Sequence, residues 1–517
     1  MPASPAFVFN PQDALRFLPE IILTIMGTLL MVLTPLIHRR GSNAFGHLSL
    51  LALAAALGAS VYAYTVGGPA FGGMLMVDGF ATFFRVLVIV VGMLTVLPSY
   101  RFLAQQNAET GEYHALLLFS IAGQCLMAAS NDLIMVFIGL EISSIASYIL
   151  AGYLRDDKRC NESALKYFLL GSFATAFFLY GVAIVYGVTG SVNLLMVRAA
   201  VVRSSDPVFL AVAAALMFVG LAFKVGAAPF QIWAPDVYQG APTPVSAFLS
   251  AGPKAAAFAI FLRIFVTAFE PIGNRWEPLV WTCALASMCI GNFAALLQTN
   301  IKRMLAYSSI AHAGYVLVAL TARSGTGAAA AMFYLASYAF MNVGAFSAVT
   351  VLTGKGERFQ SIDDFKGLGR KQPLTAALFS IFLLSLIGVP LTGGFFGKFY
   401  IFKAALDSHL YWLTVLGLLN SAVAAYYYLR ILVVMYMHEP GEATNVAEPL
   451  SPGLRIALLL PALGTLFLGI FPTWVLEFAG CPVQAAAHPA FAFSSTKPTG
   501  WQSELAVRFS SVYSDVT

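Results

Sequence analysis

The stretch FKVGAAPFQIWAPDVYQGAPTPVSAFLSAGPKAAAF, from Phe223 to Phe258, decides the fold of this chain. It places Lys224 and Lys254 thirty residues apart in sequence otherwise typical of buried membrane helix, and the segment between them is rich in helix-breaking glycine and proline. An ionisable side chain at the centre of a membrane costs roughly 2.5–3.5 kcal/mol, so such a lysine predicts a site on a path for ions or protons. Broken backbone at membrane depth survives only inside protein or beside a water-filled cavity.

The composition is that of a membrane protein. Of the 517 residues, 59% are hydrophobic and only 10% are charged, and the mean hydropathy is +0.80, whereas a soluble domain carries about 25% charged residues. We therefore predict an all-α polytopic membrane protein. The formal net charge of +5 gives no support for nucleic-acid binding, because Lys and Arg in short loops set the orientation of membrane proteins.

The cysteine and glycine patterns indicate no metal, redox or nucleotide centre. The cysteines form no C-x-x-C pair, no His/Cys spacing is typical of zinc, haem attachment or an iron–sulfur cluster, and no Rossmann glycine pattern occurs. GGFFGK is one residue too short for a phosphate loop. We expect inert cysteines and no cofactor or metal in this chain. The cysteines are residues 125, 160, 283, 289 and 481.

Apolar runs of about 20 residues, the length that crosses a bilayer, occur fourteen times. The first is too long for a signal-peptide core and lacks a clear cleavage site, so we interpret it as a retained span. The twelfth contains a break. The predicted runs are 18–37, 47–65, 80–98, 114–130, 132–153, 164–187, 208–226, 244–268, 279–297, 304–321, 328–352, 374–404, 411–436 and 454–478.

The charges of the connections predict the orientation of the spans. Odd-numbered connections are rich in Lys and Arg, and even-numbered ones are poorer, so we place the odd connections in the cytoplasm and both termini on the periplasmic side. The odd connections carry Arg39, Arg40, Arg101, Arg155, Lys158, Arg159, Lys166, Lys302, Arg303, Lys355, Arg358, Lys366, Arg370 and Lys371. The even ones carry mainly Arg198, Arg203, Arg275 and Arg323.

Two spans are interrupted, and the lysine and the break occur in opposite order in the two. The seventh reaches Lys224 before its glycines and proline, whereas in the twelfth the break GVPLTGGFFGK comes first and ends at Lys398. An inverted repeat of two five-helix units, spans 4 to 8 and 9 to 13, would produce this order. The predicted segments are an N-terminal three-helix part, the two repeats, and a last span with a polar extension, at residues 1–112, 113–268, 279–436 and 437–517.

Sequence position gives the depth of two of the charges. Thr243 and Pro244 form a helix start, in which the hydroxyl is expected to cap free N–H groups. Lys254 follows ten residues after Pro244, about 15 Å further in and near the middle of a core of roughly 30 Å. Glu141 lies eight residues beyond Leu133, about 12 Å in, and is equally central.

These buried charges suit a proton path. Glu141 and Lys224 are the natural ion pair, in which each partner keeps the other charged and a change in their separation moves a proton. Free carbonyls at the end of its half-helix are expected to favour the Lys224 cation. Lys254 is the next acceptor, and His312 and Lys398 continue the line along the membrane plane.

Each of these residues also has a structural interpretation. Glu141 and Lys224 fit a structural salt bridge. Lys398 fits a lysine that snorkels from a helix end, and His312 fits a neutral histidine bonded to a carbonyl. For Lys254 this interpretation is weakest, because an unpaired lysine at that depth adds little stability. The carboxylates expected to be helix caps are Asp78, Glu112 and Asp132.

The sequence around these residues resembles the antiporter-like membrane subunits of respiratory complex I. The resemblance rests on the quoted stretch, on LEISSIASYIL upstream and on NIKRMLAYSSIAHAGY downstream, and it is strong from about residue 113 to 435. PDVYQGAPTPVSAFLS, with lysine after the broken twelfth span, is most similar to the subunit N type. The resemblance implies Glu141 and Lys224 as a charge pair, Lys254 as the central lysine and Lys398 as the lysine at the far end of the channel.

The resemblance also implies a function. It implies a subunit that translocates protons across a bacterial inner membrane, coupled to NADH oxidation and quinone reduction elsewhere in the complex. FMN, iron–sulfur clusters and quinone are then expected in other subunits. The implied partners are the neighbouring antiporter-like subunit, the small membrane subunits that link to the quinone site, and the lipid bilayer. A subunit of a multisubunit sodium/proton antiporter and a scaffold that moves no protons stay open as alternatives.

Overall fold

A computed structural model describes residues 10–36, 43–203, 207–446, 450–476 and 478. Arg39, Arg40, Cys481 and the polar extension lie outside the described residues. Within the described part the chain forms twenty α-helices and one small hairpin.

The helices before the second repeat are α1 (Pro11–Arg16), α2 (Leu18–Leu36), α3 (Ala44–Val66), α4 (Gly79–Gln106), α5 (Gly111–Ala129), α6 (Leu133–Ala151), α7 (Lys158–Thr189), α8 (Leu194–Arg203), α9 (Val208–Val225), α10 (Trp233–Gly240) and α11 (Thr243–Phe261). A π-helical stretch, Leu262–Ala268, continues α11. Short 3₁₀ segments are Phe71–Gly73, Glu270–Ile272, Lys355–Glu357 and Ile362–Phe365.

The helices that follow are α12 (Gly273–Leu296), α13 (Ile301–Thr321), α14 (Gly325–Thr353), α15 (Leu368–Lys371), α16 (Pro373–Ile387), α17 (Gly393–Asp407), α18 (Tyr411–Met437), α19 (Glu442–Val446) and α20 (Pro452–Ile470).

A hairpin between α3 and α4 departs from the all-α prediction. Its strands are β1 (Gly68–Ala70) and β2 (Leu75–Val77), which pair antiparallel with Pro69 opposite Met76. Strands of three residues are too short to give the alternating pattern by which strands are recognised in sequence. The hairpin leaves the helical character of the fold unchanged.

Every predicted apolar run contains helix. In the described part, twelve helices are long and apolar enough to cross a membrane. The two other runs correspond to α5 and to the pair α16 and α17, which the break separates. The chain therefore has the predicted polytopic helical membrane fold, and a count of fourteen spans is compatible with it.

Contacts between connections sort them onto two faces. On one face odd connections meet, since Arg159 Nη2 of the fifth donates to Gly356 O of the eleventh at 3.1 Å. On the other face even connections meet, since Arg198 of the sixth pairs with Glu270 of the eighth at 3.3 Å. The four connections that take part in these contacts agree with the predicted alternation. The assignment of one face to the cytoplasm stays a prediction.

Two of the three carboxylates that are predicted to cap helix N-termini do so. Asp78 precedes α4 and accepts from Ala81 N at 2.7 Å, and Asp132 precedes α6 and accepts from two main-chain N–H groups. Both predictions are confirmed. The prediction for Glu112 is wrong, because Thr110 occupies the cap position and Glu112 lies inside the first turn of α5.

The start of α11 is correctly predicted, but its cap is not. Thr243 is the first residue of the helix, and its hydroxyl donates to Glu357 Oε1 at 2.5 Å instead of accepting from an N–H group. The same oxygen accepts from Thr243 N at 2.7 Å. A carboxylate 114 residues away therefore supplies the negative charge that suits a helix N-terminus.

The two predicted interruptions are confirmed. α9 and α10 are separated, as are α16 and α17, and each first half is followed by glycine with positive φ, 70° at Gly226 and 96° at Gly388. Such values cost glycine little and other residues much, so they end the helices sharply. The division into segments at 1–112, 113–268, 279–436 and 437–517 stays a prediction.

The lysine-bearing helix α11 lies in the interior. All nineteen of its residues are buried, and α13 and α14 are buried along nearly their whole lengths. By contrast, α7 and α18 expose large apolar side chains, with Phe173 67% and Trp412 76% exposed. The apolar outer surface suits lipid, and the charged residues of the inner helices face protein.

Candidate functional site

Lys224 lies in the last turn of α9 and is buried. Its Nζ donates to Ser144 Oγ at 2.8 Å and to Tyr167 Oη at 3.4 Å. The rings of Tyr148 and Tyr167 lie 5.9 and 5.5 Å from Nζ, within range of cation–π attraction. The ammonium is therefore held by hydroxyls and aromatic rings.

Glu141 does not form the predicted contact with Lys224. No salt bridge within 4.0 Å joins the two in the described part of the chain, and Glu141 Oε1 is buried without a hydrogen-bond partner there. Ser144, three residues further along α6, contacts the lysine instead. Glu141 shares a helix face with Ser144 but is itself only partly buried.

Lys254 finds its partner on α13. Its Nζ donates to Ser309 O at 2.8 Å and also to Ser309 Oγ. The ring of Tyr338 lies 5.6 Å from Nζ. Among the described residues no carboxylate lies within salt-bridge distance of Lys254, which agrees with the absence of an evident partner in its sequence neighbourhood.

His312 lies between two phenols. Its Nδ1 is 2.5 Å from Tyr334 Oη, and its Nε2 is 3.2 Å from Tyr428 Oη. Tyr428 in turn bonds Ser308. A neutral imidazole donates through one nitrogen and accepts through the other, so it can pass a proton between hydroxyls. The alternative in which His312 is bonded to a backbone carbonyl is therefore wrong.

Lys398 reaches back to the end of the first half of its own span. Its Nζ donates to Leu386 O at 2.9 Å, to Ile387 O at 2.8 Å and to Ser421 Oγ at 2.9 Å. Carbonyls at a helix C-terminus carry partial negative charge and favour a cation. The side chain is only 6% exposed, so the snorkelling interpretation is wrong.

One face of α13 joins Lys254 to Lys398. Ser309 contacts Lys254, His312 follows after three residues, and Tyr315 follows after three more with its ring 5.0 Å from Lys398 Nζ. This spacing places the three side chains on one helix face. The structure therefore brings together Lys254, His312 and Lys398, as predicted from the sequence.

Aromatic rings occupy the space between Lys224 and Lys254. Tyr167, which Lys224 contacts, stacks on Trp233 with ring centroids 4.4 Å apart. Trp233 Nε1 donates to Phe223 O at 2.9 Å. In the described part, these contacts form no continuous hydrogen-bonded chain from one lysine to the other.

Sequence reasoning missed the hydroxyls of this site. Ser309 could have been found, because it lies one turn from His312 in a run of alternating small and polar residues. Ser144 similarly follows Glu141 by nearly one turn. The phenols of Tyr334 and Tyr428 carry no such signal, since they belong to α14 and α18 and meet His312 only through packing.

A cavity of about 400 Å³ adjoins Lys398. Lys398 and Ser421 line its inner part, and Phe399, Lys403 and Asp407 line the part along α17. Because α17 ends at Asp407, before the twelfth connection, the cavity extends toward the face of the even connections. It adjoins the last lysine of the row, and most of the side chains that line it are apolar.

No metal-binding cluster forms in the part of the chain that the structure describes, where no three His, Cys, Asp or Glu side chains come together suitably. The site instead consists of amines, an imidazole, hydroxyls and carbonyls. Groups of these kinds can hold and transfer protons.

Comparison with known proteins identifies the family. The family model described as NADH:quinone oxidoreductase/Mrp antiporter, TM matches residues 130–424. NADH-quinone oxidoreductase subunit N 1 of Solibacter usitatus is 84% identical over 480 residues, which cover 93% of this chain and 98% of that protein. The chain belongs to the subunit N family of NADH-quinone oxidoreductases. Subunit N 2 of Koribacter versatilis is 49% identical over 92% of this chain and 97% of its own length.

Solved structures agree with this assignment. A chain of respiratory complex I from Thermus thermophilus is 35% identical, with a TM-score of 0.76 over 89% of this chain and 99% of that one. A chain of the Mrp complex from Dietzia is 22% identical, with a TM-score of 0.81 over 94% of this chain and 100% of that one, and shows a shared fold. The resemblance identified from the sequence is confirmed.

Proposed function

We propose that this chain translocates protons across a bacterial inner membrane as a membrane-arm subunit of NADH:quinone oxidoreductase. The carrying observation is a row of three buried lysines whose ammonium groups contact hydroxyls, carbonyls and rings rather than carboxylates. A lysine without a bound counter-ion deep in protein loses its proton more readily than one in a salt bridge. Such lysines suit a relay better than a scaffold.

The proposed route uses the row in order. Glu141 and Lys224 begin it, Lys254 is central, and His312 passes the proton between phenol hydroxyls toward Lys398. Beyond Lys398, the proposed exit is the cavity along α17. The step between Lys224 and Lys254 requires a rearrangement around Trp233, because rings separate the two lysines.

The chain is proposed to work within a larger complex in the membrane. NADH, FMN, iron–sulfur clusters and quinone belong to other subunits, and this chain binds neither cofactor nor metal. Its partners are the neighbouring antiporter-like subunit and the small membrane subunits that link to the quinone site, within the lipid bilayer. Support comes from the 35% identical chain in the Thermus thermophilus complex. Odd connections face the cytoplasm and both termini the periplasm.

A sodium/proton antiporter subunit is the second candidate. The matching family model spans both classes, and the likeness to the Mrp complex is a likeness of fold. The 84% identity to a subunit N favours the oxidoreductase. The two candidates differ in driving force, since only the oxidoreductase subunit couples proton uptake to NADH.

Exchange of Lys254 for arginine tests the relay. Arginine stays charged even when buried, so Lys254→Arg keeps the positive charge and abolishes proton exchange. We expect NADH-driven proton uptake into inverted vesicles to fall at least tenfold, nearly as far as in Lys254→Met. Native gels verify assembly of both variants. Wild-type coupling in the arginine variant would leave Lys254 as a fixed charge and refute its relay role.

A further inference from the structure

Asn342, on α14, is a buried amide without a partner. It is 0% exposed, and in the described part of the chain neither Oδ1 nor Nδ2 has a hydrogen-bond partner. A buried amide in this state is costly unless water satisfies it. Its adjacent donor and acceptor suit water molecules that bridge to other polar groups.

The position of Asn342 connects it to the lysine row. Tyr334, Tyr338 and Asn342 are spaced by four residues and share one face of α14. Tyr334 Oη contacts His312, and the ring of Tyr338 lies 5.6 Å from Lys254 Nζ. Asn342 therefore lies one turn beyond the level of the central lysine, toward the C-terminal end of α14.

A second buried charge cluster lies at that end. Lys302 Nζ donates to Glu357 Oε2 at 2.7 Å, with side chains 0% and 5% exposed. Lys302 Nζ also donates to Ala241 O at 2.6 Å, and Glu357 holds the start of α11 at Thr243. The sequence places Lys302 among the charges of a connection, but its side chain is fully buried. The pair lies on the face of the odd connections.

The register of α11 places a narrow polar stripe between this pair and Lys254. Thr243, Ala247, Ser250 and Lys254 are spaced by four, three and four residues, so they share a helix face. Thr243 contacts Glu357 beyond the end of α14, so α11 and α14 run antiparallel. Ser250, one turn before Lys254, then lies at the level of the amide on α14.

We infer that Asn342 holds a water chain that carries protons between the buried pair of Lys302 and Glu357 and the central Lys254, an inference that rests on the proposed function. Lys302 Nζ releases a proton to the first water molecule and is reprotonated from the face of the odd connections. Each water molecule passes on one proton as it gains another, and Lys254 Nζ, in its neutral form, forms the last N–H bond. Asn342 is not itself protonated. It is a positioning residue that donates to one water molecule and accepts from the next.

Two substitutions of Asn342 separate this role from a packing role. Asn342→Leu keeps the number and branching of the side-chain heavy atoms and removes the amide donor and acceptor, so the water site is lost. Asn342→Ser keeps a donor and an acceptor and leaves room for water. We expect NADH-driven proton uptake in assembled complex to fall at least tenfold in the leucine variant and less than twofold in the serine variant. The reverse order would overturn the inference.

Ser347 provides the matched control. It is buried on α14 with an Oγ that has no partner among the described residues, but it lies five residues from Asn342 on a different face. Ser347→Ala is expected to pump as wild type. A loss equal to that of Asn342→Leu would show that any polar change in α14 disrupts pumping and would overturn the inference.

A variant on the opposite helix covers the case in which Asn342→Leu fails to assemble. Ser250→Val fills the same space from α11, and uptake is again expected to fall at least tenfold. Unchanged uptake in assembled Ser250→Val complex would refute the water chain. Lys254→Met, measured alongside, separates the two proposals. Normal pumping by Lys254→Met contradicts the proposed function. If Lys254→Met loses pumping while Asn342→Leu and Ser250→Val pump normally, only the water chain is contradicted.

Discussion

The two interrupted spans both contain glycine, proline and a lysine at the break, but the two lysines have different hydrogen-bond partners. Lys224 precedes its break and Lys398 follows its break. At the first break, Trp233 Nε1 donates a hydrogen bond to Phe223 O. Lys224 Nζ donates to the hydroxyls of Ser144 on α6 and Tyr167 on α7. At the second, Lys398 itself binds two free carbonyls at the end of α16.

The position of each lysine relative to its break decides whether the free carbonyls of the first half-helix bind its ammonium group. The free carbonyls expected to favour the Lys224 cation bond Trp233 and the main-chain N–H groups of Gly226 and Ala227 instead. The carbonyls next to Lys398 do stabilise a cation, because they carry the negative end of the α16 dipole.

The largest expected effect concerns the inverted arrangement of the breaks. An epitope inserted after Arg203, before α9, should bind antibody in intact spheroplasts. An epitope inserted after Gly356, before α16, should bind only after permeabilisation, because odd connections are predicted to be cytoplasmic. Immunofluorescence on both preparations measures this all-or-none difference. Labelling of both sites on the same side of the membrane would contradict the predicted inverted repeat.

Loss of the first lysine is expected to have the next largest effect. Lys224→Ala removes the first buried ammonium of the row and leaves Ser144 and Tyr167 without the group to which they are bonded. Proton uptake driven by NADH should fall at least tenfold while assembly on native gels is preserved. An assembled Lys224→Ala complex that pumps normally would remove this residue from the route.

Removal of the tryptophan donor should make the first break more like the second. Trp233→Phe keeps an aromatic ring next to Tyr167 and removes one of the two donors to Phe223 O, so that this carbonyl can accept from Lys224. The carbonyl then stabilises the ammonium, so we expect uptake to slow about threefold to tenfold, roughly 0.7–1.4 kcal/mol. Trp276→Phe is a control, because its Nε1 bonds Phe269 O away from the lysine row. Equal effects of the two changes would contradict this account.

The smallest effects are expected at the hydroxyls. Ser144→Ala removes the 2.8 Å partner of Lys224 and should reduce uptake several-fold, because only the longer bond to Tyr167 remains. Ser421→Ala leaves Lys398 with both carbonyls and should change uptake less than twofold. Initial rates at several NADH concentrations compare the pair. A larger effect at Ser421 would reverse the assignment of the two environments.

The burial of Lys302 shows where sequence patterns stop being informative. As a positive charge in a short connection it fits the orientation rule. In the structure it is fully buried and bonded to Glu357, 55 residues away. The same carboxylate caps α11. Neither contact has a local signal, because the groups come from three different segments.

The sequence by itself determined the apolar runs, the two breaks and the depth of Lys254, since hydropathy, glycine and proline act locally along the chain. It also determined that the helix beginning at Thr243 carries a lysine in the interior. Only the tertiary structure decided that Lys224 bonds Ser144 rather than Glu141, and that Lys254 bonds Ser309. These partners depend on the rotation and register of packed helices, which side chains from the whole bundle set together.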